Sequence, residues 1–338
     1  MNSKILKFIK NSKILKLKII FVFPLFFVLC SMFLSEAKAQ TLSLSIWPPL
    51  LEVMIQPGKS ITQVYKLINE GETDLVVKGE IFAFNPLGEQ GEIQLSDQHS
   101  PAHEWISFQN ADLGLGQNFA VKAGQSQQIV LKIKVPLEAK EDDYYLTLLF
   151  SSSPDGLISG YLGSQARAEI GSNILLTVSE NGEPPRKAEI TEFKLANPSF
   201  SFFGLQIIDS FPQPQFLLRV KNTGRSLFKP MGVITVNGWL KQKYLLNLLP
   251  ENILTKSTRQ ITCENETETK ICRLPSKFLI GPYQAKVEFG LDKISSDYTA
   301  RINFIALPLK MFLVVLGLII LVIIIKLVQI RFKSSLDK

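Results

Sequence analysis

The residues Gly58-Lys59-Ser60 could bind phosphate, because the same three types close the phosphate-binding loop of many nucleotide-binding proteins. That loop needs another Gly five positions before Gly58, where this sequence has Val53. It must also open a helix, whereas residues 61–67 alternate apolar and polar side chains as a strand does. We therefore expect a turn that enters a strand, with no nucleotide site and no cofactor.

Two histidines lie close enough in sequence to share a metal ion. His99 and His103 flank Ser-Pro-Ala, and Glu104 follows. Two imidazoles four residues apart meet only on a helix, and Pro101 between them favours a loop. We expect a solvated loop here and no metal site.

A third cluster is acidic and lies within residues 138–143. Its carboxylates belong to Glu138, Glu141, Asp142 and Asp143. A calcium loop needs oxygen ligands at alternate positions and a Gly turn, and this segment has neither. We expect a solvated loop between two strands. Because the sequence also lacks Gly-x-Ser-x-Gly and a marked pair of catalytic carboxylates, we predict no catalytic residues and a protein that is not an enzyme.

Cysteine chemistry is confined to Cys263 and Cys272, which flank a short polar loop, and to Cys30 near the N-terminus. In an oxidising compartment the first two would form a disulfide. A zinc half-site is the alternative, although no His or further Cys lies nearby in sequence.

Between residues 41 and 305 the elements that position these side chains follow a strand pattern. Short alternating runs rich in β-branched and aromatic residues are separated by Gly, Pro, Asn and Asp, and no run has the 3.6-residue period of a helix. The clearest runs are 62–68, 75–84, 128–135, 145–150, 174–178, 216–220, 233–236 and 285–289. This pattern predicts an all-β fold of two tandem immunoglobulin-like β-sandwich domains.

The two halves of this region repeat two motifs. Asn69-x-Gly71 and Asn222-x-Gly224 each follow a strand-like run. A Pro, Tyr and Phe frame recurs with identical spacing at 136, 144 and 150 and at 275, 283 and 289. The polar stretch at 179–189 with Pro184-Pro185 separates the halves. We predict a first sandwich at 40–182 and a second at 183–307.

The N-terminus has the three parts of a secretory signal peptide. Six Lys precede an apolar run at 19–34, and Ala37-Lys38-Ala39 supplies small residues for cleavage. We predict a signal peptide at 1–39. An uncleaved anchor helix is the alternative, but the run is short for a span and Pro24 interrupts it.

The C-terminal apolar block is long enough to cross a bilayer. Residues 311–325 have no polar side chain, and residues 308–330 supply the roughly 20 residues that a span requires. The basic residues beyond it mark the cytoplasmic side. We predict a transmembrane helix at 308–330, a cytoplasmic tail at 331–338 and both sandwiches outside the cytoplasm.

The net charge of +7 comes from the two ends of the chain. Residues 1–39 contain seven Lys and one Glu, and residues 308–338 contain five basic residues and one Asp. Residues 40–307 hold 25 basic and 28 acidic residues, a net charge of −3. This balance gives no support for nucleic-acid binding.

Three segments resemble the WxL-interacting proteins of bacterial cell surfaces. They are LSIWPPLLEVMIQPGKSITQVYKLINEGETDLVVKGEI at 44–81, IKVPLEAKEDDYYLTLLF at 133–150 and ARINFIALPLK at 300–310. The resemblance implies two immunoglobulin-like domains on one membrane helix, with peptidoglycan binding by the first and partner binding by the second. It carries over no catalytic residue.

These patterns together predict a non-catalytic, single-pass protein of the cell envelope. Its partners would be a surface or secreted protein, a cell-wall polymer, and membrane lipid through the C-terminal helix, with β-augmentation as one binding mode. Two alternatives remain open. One is a membrane-tethered assembly chaperone, and the other is a glycan-processing hydrolase with an unmarked site.

Overall fold

The structure is a computed structural model that describes residues 43–152, 167–203, 205–264, 271–275 and 278–336. The predicted signal peptide, with Cys30, lies outside these residues. All eight strand-like runs lie in strands, to within one residue at their ends. The predicted fold class is confirmed: two β-sandwiches are followed by one apolar helix.

The first sandwich contains ten strands in two sheets. They are β1 (Leu44–Trp47), β2 (Leu50–Ile55), β3 (Ser60–Asn69), β4 (Leu75–Leu87), β5 (Glu92–Ser96), β6 (Ile106–Phe108), β7 (Asn118–Val121), β8 (Ser126–Lys134), β9 (Asp143–Ser152) and β10 (Glu169–Val178). The four-stranded sheet has the order β1-β3-β8-β6, and the six-stranded sheet has the order β2-β10-β9-β4-β5, with β7 also paired to β4. A cis Trp47–Pro48 bond precedes β2, where the chain passes from one sheet to the other.

The second sandwich repeats this plan. Its strands are β11 (Ala188–Leu195), β12 (Phe200–Phe202), β13 (Leu205–Asp209), β14 (Gln215–Asn222), β15 (Pro230–Gly238), β16 (Lys243–Asn247), β17 (Thr258–Ile261), β18 (Cys272–Arg273), β19 (Gly281–Leu291) and β20 (Tyr298–Leu307). One sheet has the order β11-β14-β17, with β18 also paired to β14, and the other has the order β12-β13-β20-β19-β15-β16. In each sandwich an early strand pairs in parallel with the final strand: β2 with β10, and β13 with β20.

Each sandwich buries the alternating apolar side chains of its own two sheets. Tyr65, Ile129 and Phe150 are fully buried in the first core, and Phe216 and Phe289 in the second. Burial of the Tyr65 hydroxyl raises its pKa to about 12, because the phenolate would have to leave water. This alternation explains why period-two patterning located the strands.

The Asn residues of the two Asn-x-Gly motifs make equivalent hydrogen bonds in the two sandwiches. Asn69 is fully buried, donates from Nδ2 to the carbonyls of Thr73 and Val121, and accepts from Gly71 N. These bonds tie the end of β3 to the turn that follows it and to β7 across the sandwich. The Asn69 side chain therefore supplies hydrogen-bond partners to three backbone groups that strand pairing does not satisfy.

Asn222 repeats this pattern at the end of β14. It is fully buried, donates to the carbonyls of Ser226 and Ile253, and accepts from Gly224 N at 2.9 Å. In both motifs the Asn side chain donates to the carbonyl of the residue four positions later and accepts from the backbone N–H of the residue two positions later. The correspondence supports the predicted shared architecture at the level of individual hydrogen bonds.

The repeated Pro–Tyr–Phe motif also lies at equivalent positions in the two sandwiches. Tyr144 lies near the start of β9 and donates to Lys140 O at 3.2 Å, and Tyr283 lies near the start of β19. Tyr283 is buried but donates to the Gln242 side chain instead of to loop backbone. The motif thus marks the strand beside the last strand of each sandwich.

The predicted pairing of Cys263 with Cys272 is present as a disulfide with an S–S distance of 2.06 Å. It joins the residues after β17 to β18, and both cysteines are buried in the second core. The disulfide therefore helps to hold the short strand β18 against β14.

The last strand leads almost directly into the helix. β20 ends at Leu307, and α1 (Leu309–Leu336) begins two residues later. Its stretch Leu309–Gln329 is long and apolar enough to cross a membrane, and none of it is buried against the sandwiches. The connection between the sandwiches runs from Val178 to Ala188 and includes residue 183, where the boundary was predicted.

Candidate functional site

The Pro57-Gly58 turn joins β2 to β3, as the sequence predicted. Gly58 has φ +75° and donates to the carbonyls of Val135 and Pro136. Its open face is covered by Leu137, whose Cδ1 would lie 3.2 Å from a Cβ at residue 58. Glycine is needed for the turn's backbone conformation, and the turn packs against a neighbouring loop.

The two histidines lie at the surface beside a short helix. Residues Pro101–Trp105 form a 3₁₀ helix, so the predicted loop is wrong for His103. The His103 side chain is part of the helix cap, because its Nδ1 accepts from Ser100 N at 2.9 Å, and His99 Nε2 lies 3.6 Å from Glu104 Oε1. Among the described residues no group of three potential metal-binding side chains occurs. The histidines act in local structure here.

The prediction of a solvated loop is wrong for Asp143, which lies in β9, whereas Glu138 and Asp142 are exposed in the loop before this strand. The Asp143 carboxylate accepts four hydrogen bonds. Thr177 Oγ1 and Tyr145 OH donate from the first sandwich, and Ser226 Oγ and Leu227 N donate from the second. One carboxylate therefore bridges both sandwiches.

Asp143 also influences its neighbour in β9. Burial raises the pKa of Tyr145 above its usual value, and the adjacent Asp143 carboxylate raises it further. The neutral hydroxyl donates to Asp143 at 2.6 Å and accepts from Thr255 N at 3.0 Å. Tyr145 thus forms a second link between the sandwiches.

Charged and apolar contacts extend this interface. Arg219 pairs with Glu89 at 2.6 Å, and Lys229 pairs with Glu52 at 2.6 Å. A small buried apolar cluster draws on both sandwiches and is formed by Phe84, Leu175 and Leu254. A cavity of about 160 Å³ lies beside it and is lined by residues of both sandwiches, including Leu50 and Arg259. The two sandwiches are therefore joined by a specific contact surface.

The most exposed apolar surface of the second sandwich is the β12–β13 hairpin. We call its four side chains the aromatic edge: Phe200, Phe202, Phe203 and Leu205. Phe203 is 94% exposed and has φ +45°, a conformation that bulky residues rarely adopt. The rings of Phe200 and Phe202 stack at 6.2 Å, and Phe203 packs edge-to-face on Phe202 at 4.5 Å.

The aromatic edge ends a sheet, and its protection is limited to the shortness of β12, which has three residues, and to Pro198 before it. β12 pairs with β13, and no other strand among the described residues pairs with it. Residues 196–208 contain no charged side chain. Natural edge strands normally carry Lys, Pro or bulges that block further pairing. An exposed, uncharged aromatic edge is therefore a candidate binding site.

The aromatic edge lies above the start of α1. Phe200 pairs with Ile207, which is in register with Ile305 of β20, and Leu205 is level with residue 303, so the edge lies four to six residues before α1 begins. At about 3.3 Å per strand residue this is a height of roughly 13–20 Å. A bilayer entered by α1 would leave the tip of the hairpin in water.

The first sandwich offers a second open edge. β2 pairs with β10 only from Asn173 onward, and Glu169–Ser172 have no strand on that side among the described residues. Arg167 beside it pairs with Glu169 at 2.8 Å. The basic residue next to this edge is therefore already neutralised.

Sequence reasoning missed both the Asp143 bridge and the aromatic edge. Nothing in the sequence of the acidic cluster indicated that one carboxylate would accept hydrogen bonds from the second sandwich. The signal for the edge was available, since Phe200-Ser201-Phe202-Phe203 is an aromatic run inside a long uncharged stretch. Its exposure depends on which strands end up at the margin of the sheet.

No protein-family model matches the sequence, and a search of curated proteins gave no match. Among solved structures, the chain is similar to the class 5 fimbriae chaperone CfaA, with 11% identity, 78% of this chain and 100% of that chain covered, and a TM-score of 0.36. The chaperone DraB of E. coli matches with 14% identity, 78% and 98% coverage and a TM-score of 0.34.

A third structure, the Salmonella enterica SafA pilin in complex with the SafB chaperone, matches with 11% identity and a TM-score of 0.33 over 79% of this chain and 98% of that chain. At these identities and TM-scores the likeness carries no functional argument. The function is therefore inferred from the residues of this chain alone.

Proposed function

We propose that this chain is a non-catalytic protein of the cell envelope that captures a surface or secreted protein on the aromatic edge. The single observation behind the proposal is an exposed, uncharged aromatic edge strand roughly 13–20 Å above the predicted membrane entry. The predicted signal peptide and α1 would place both sandwiches outside the cytoplasm, with a short cytoplasmic tail. This architecture agrees with the proposed resemblance to the WxL-interacting proteins.

The geometry favours a protein partner that adds a strand. Within the described part of the chain, the three-residue strand β12 pairs with β13 alone, and the backbone N–H and C=O groups on its other side are available for β-augmentation. The alternating Phe200 and Phe202 rings would then pack against alternate side chains of the added strand. A cell-wall polymer could use the rings but would leave the backbone groups of the strand in water.

Capture by the full-length chain in detergent micelles tests this proposal. We expect Phe202→Ser with Phe203→Gly to lower the amount of partner captured from a solubilised envelope fraction about tenfold, because removal of an aromatic anchor costs at least 1.4 kcal/mol. Ile294→Ser is the matched control, since Ile294 is 83% exposed on the turn between β19 and β20. Equal capture by both variants would reject the aromatic edge as the binding site.

The assembly-chaperone alternative has one observation in its favour, the open half of β10 in the first sandwich. It would require this edge to pair with a subunit strand beside an available basic residue. Arg167 is bound to Glu169, and α1 would tether the chain. A partner that is lost on substitution of Ile170 to Pro, and kept on substitution of the aromatic edge, would favour this function instead.

A further inference from the structure

A second group of exposed apolar side chains lies at the end of the second sandwich where β20 leads into α1. We call it the basal face, and its members are Phe211, Trp239, Leu240, Phe278 and Ile280, all at least 40% exposed. They come from three separate segments: after β13, in the turn between β15 and β16, and before β19. Their convergence on one end is a property of the fold that the sequence does not display.

Strand register places the basal face at the level where the chain enters α1. Gly281 is in register with Ala306, and Trp239 N donates to Pro282 O. Leu279 N donates to Ser210 O, and Ser210 N donates in turn to Leu307 O. All three segments are therefore level with residues 305–307 of β20. At about 3.3 Å per residue, these levels are roughly 7–13 Å from the first residue of α1.

The Trp239 indole is held in a fixed position within this face. Nε1 donates to Ile280 O at 2.8 Å. The ring lies over Gly281, where φ is +89° and any Cβ would overlap Nε1. The indole nitrogen is thus satisfied by the protein while the ring remains 59% exposed. A rigid, amphipathic Trp is the residue type that membrane interfaces favour.

Charge at the basal face also suits a bilayer surface. Lys241 is exposed in the same turn as Trp239, and Lys310 lies exposed in the first turn of α1. Across residues 209–213, 237–243 and 278–283 the only acidic residue is Asp209, which is buried. Asp209 lies 3.8 Å from Lys310 Nζ and links the sheet to the helix. Exposed lysines at this level attract anionic lipid headgroups.

We propose that the basal face lies in the headgroup layer of the bilayer that α1 crosses, so that the second sandwich rests on the membrane surface. The headgroup region is about 5–8 Å thick on each side of the hydrocarbon core. The Trp239 indole reaches it through Ile280, whose carbonyl it binds and which is level with residue 307, about 7 Å from the start of α1. The inference rests on α1 spanning a membrane, which is part of the proposed function. It goes beyond that function by assigning a lipid-binding surface to the sandwich itself.

Depth-dependent fluorescence quenching of the full chain in vesicles tests the proposal. The chain contains three Trp, and Trp47→Phe with Trp105→Phe leaves only Trp239. The vesicles contain phosphatidylcholine and phosphatidylglycerol, with a nitroxide lipid labelled near the glycerol or near the chain end. We expect the shallow label to quench Trp239 by about half and the deep label to quench it less.

Trp47 provides a matched control, because it is similarly exposed but lies in β1 of the first sandwich. Trp105→Phe with Trp239→Phe leaves Trp47, which neither label should quench. If a double variant unfolds, the difference in quenching between the unaltered chain and Trp239→Phe gives the same comparison.

Two results would overturn the inference, and they are distinguishable. Equal quenching of Trp239 and Trp47 in chains retained by carbonate-washed vesicles would reject the basal face alone. Release of the chain by the carbonate wash would reject the membrane-spanning role of α1, and the basal face with it. Loss of partner capture bears on neither result, because the aromatic edge is a different surface.

Discussion

Asn222→Ala should lower the free energy of unfolding of the second sandwich by about 3 kcal/mol. The substitution removes both donors to the Ser226 and Ile253 carbonyls and the acceptor for Gly224 N. Asn222 is fully buried, so water cannot easily replace these bonds. The measurement is the midpoint of thermal unfolding of the full chain, followed by near-ultraviolet circular dichroism.

Two comparisons separate the hydrogen bonds from the general effect of removing an amide. Asn85→Ala removes an exposed Asn from β4 and should change stability by less than about 0.5 kcal/mol. Asn222→Asp keeps an acceptor for Gly224 N but presents a carboxylate to two carbonyls, so it should destabilise at least as much as Ala. An Asn222→Ala variant as stable as Asn85→Ala would refute the assigned role of the motif.

Asp143→Ala should loosen the contact between the sandwiches while leaving each one folded. The carboxylate accepts from Thr177, Tyr145, Ser226 and Leu227, and its removal leaves these donors without their acceptor. Hydrogen bonds to charged groups contribute more than neutral ones, so we expect a loss of about 3 kcal/mol in the interaction between the sandwiches. The connection at 179–187 should then become accessible to trypsin.

The rate of tryptic cleavage after Arg186 and Lys187 measures this loosening, and we expect it to rise at least tenfold. Glu138→Ala is the control, because Glu138 is exposed in the loop before β9. This substitution removes the same charge as Asp143→Ala. Equal cleavage rates for the two variants would show that Asp143 does not hold the sandwiches together.

The strands could be predicted from sequence because burial of one face imposes a two-residue period. The runs at 62–68 and 128–135 alternate cleanly, and both became central strands of a four-stranded sheet. The Asn-x-Gly motifs were also visible, since a turn immediately after a strand requires such residues. These signals are local, and each depends on neighbours within a few positions.

The bridge and the surfaces could not be predicted in the same way. Asp143 meets Ser226 across 83 sequence positions, and no local pattern specifies that meeting. Trp239 and Phe211 look like ordinary core residues until the register of β19 with β20 places them at the end of the sheet. Exposure of an apolar residue is decided by tertiary packing, so sequence alone assigns it to the core by default.

Photo-cross-linking at Phe203 tests the central claim most directly. A photoreactive amino acid at Phe203, in the full chain within native membranes, should give a discrete adduct with one envelope protein. The same substitution at Ile294, which is comparably exposed on the same sandwich, should give none. Absence of an adduct at Phe203, or equal adducts at both positions, would contradict the account of the aromatic edge as a partner-binding site.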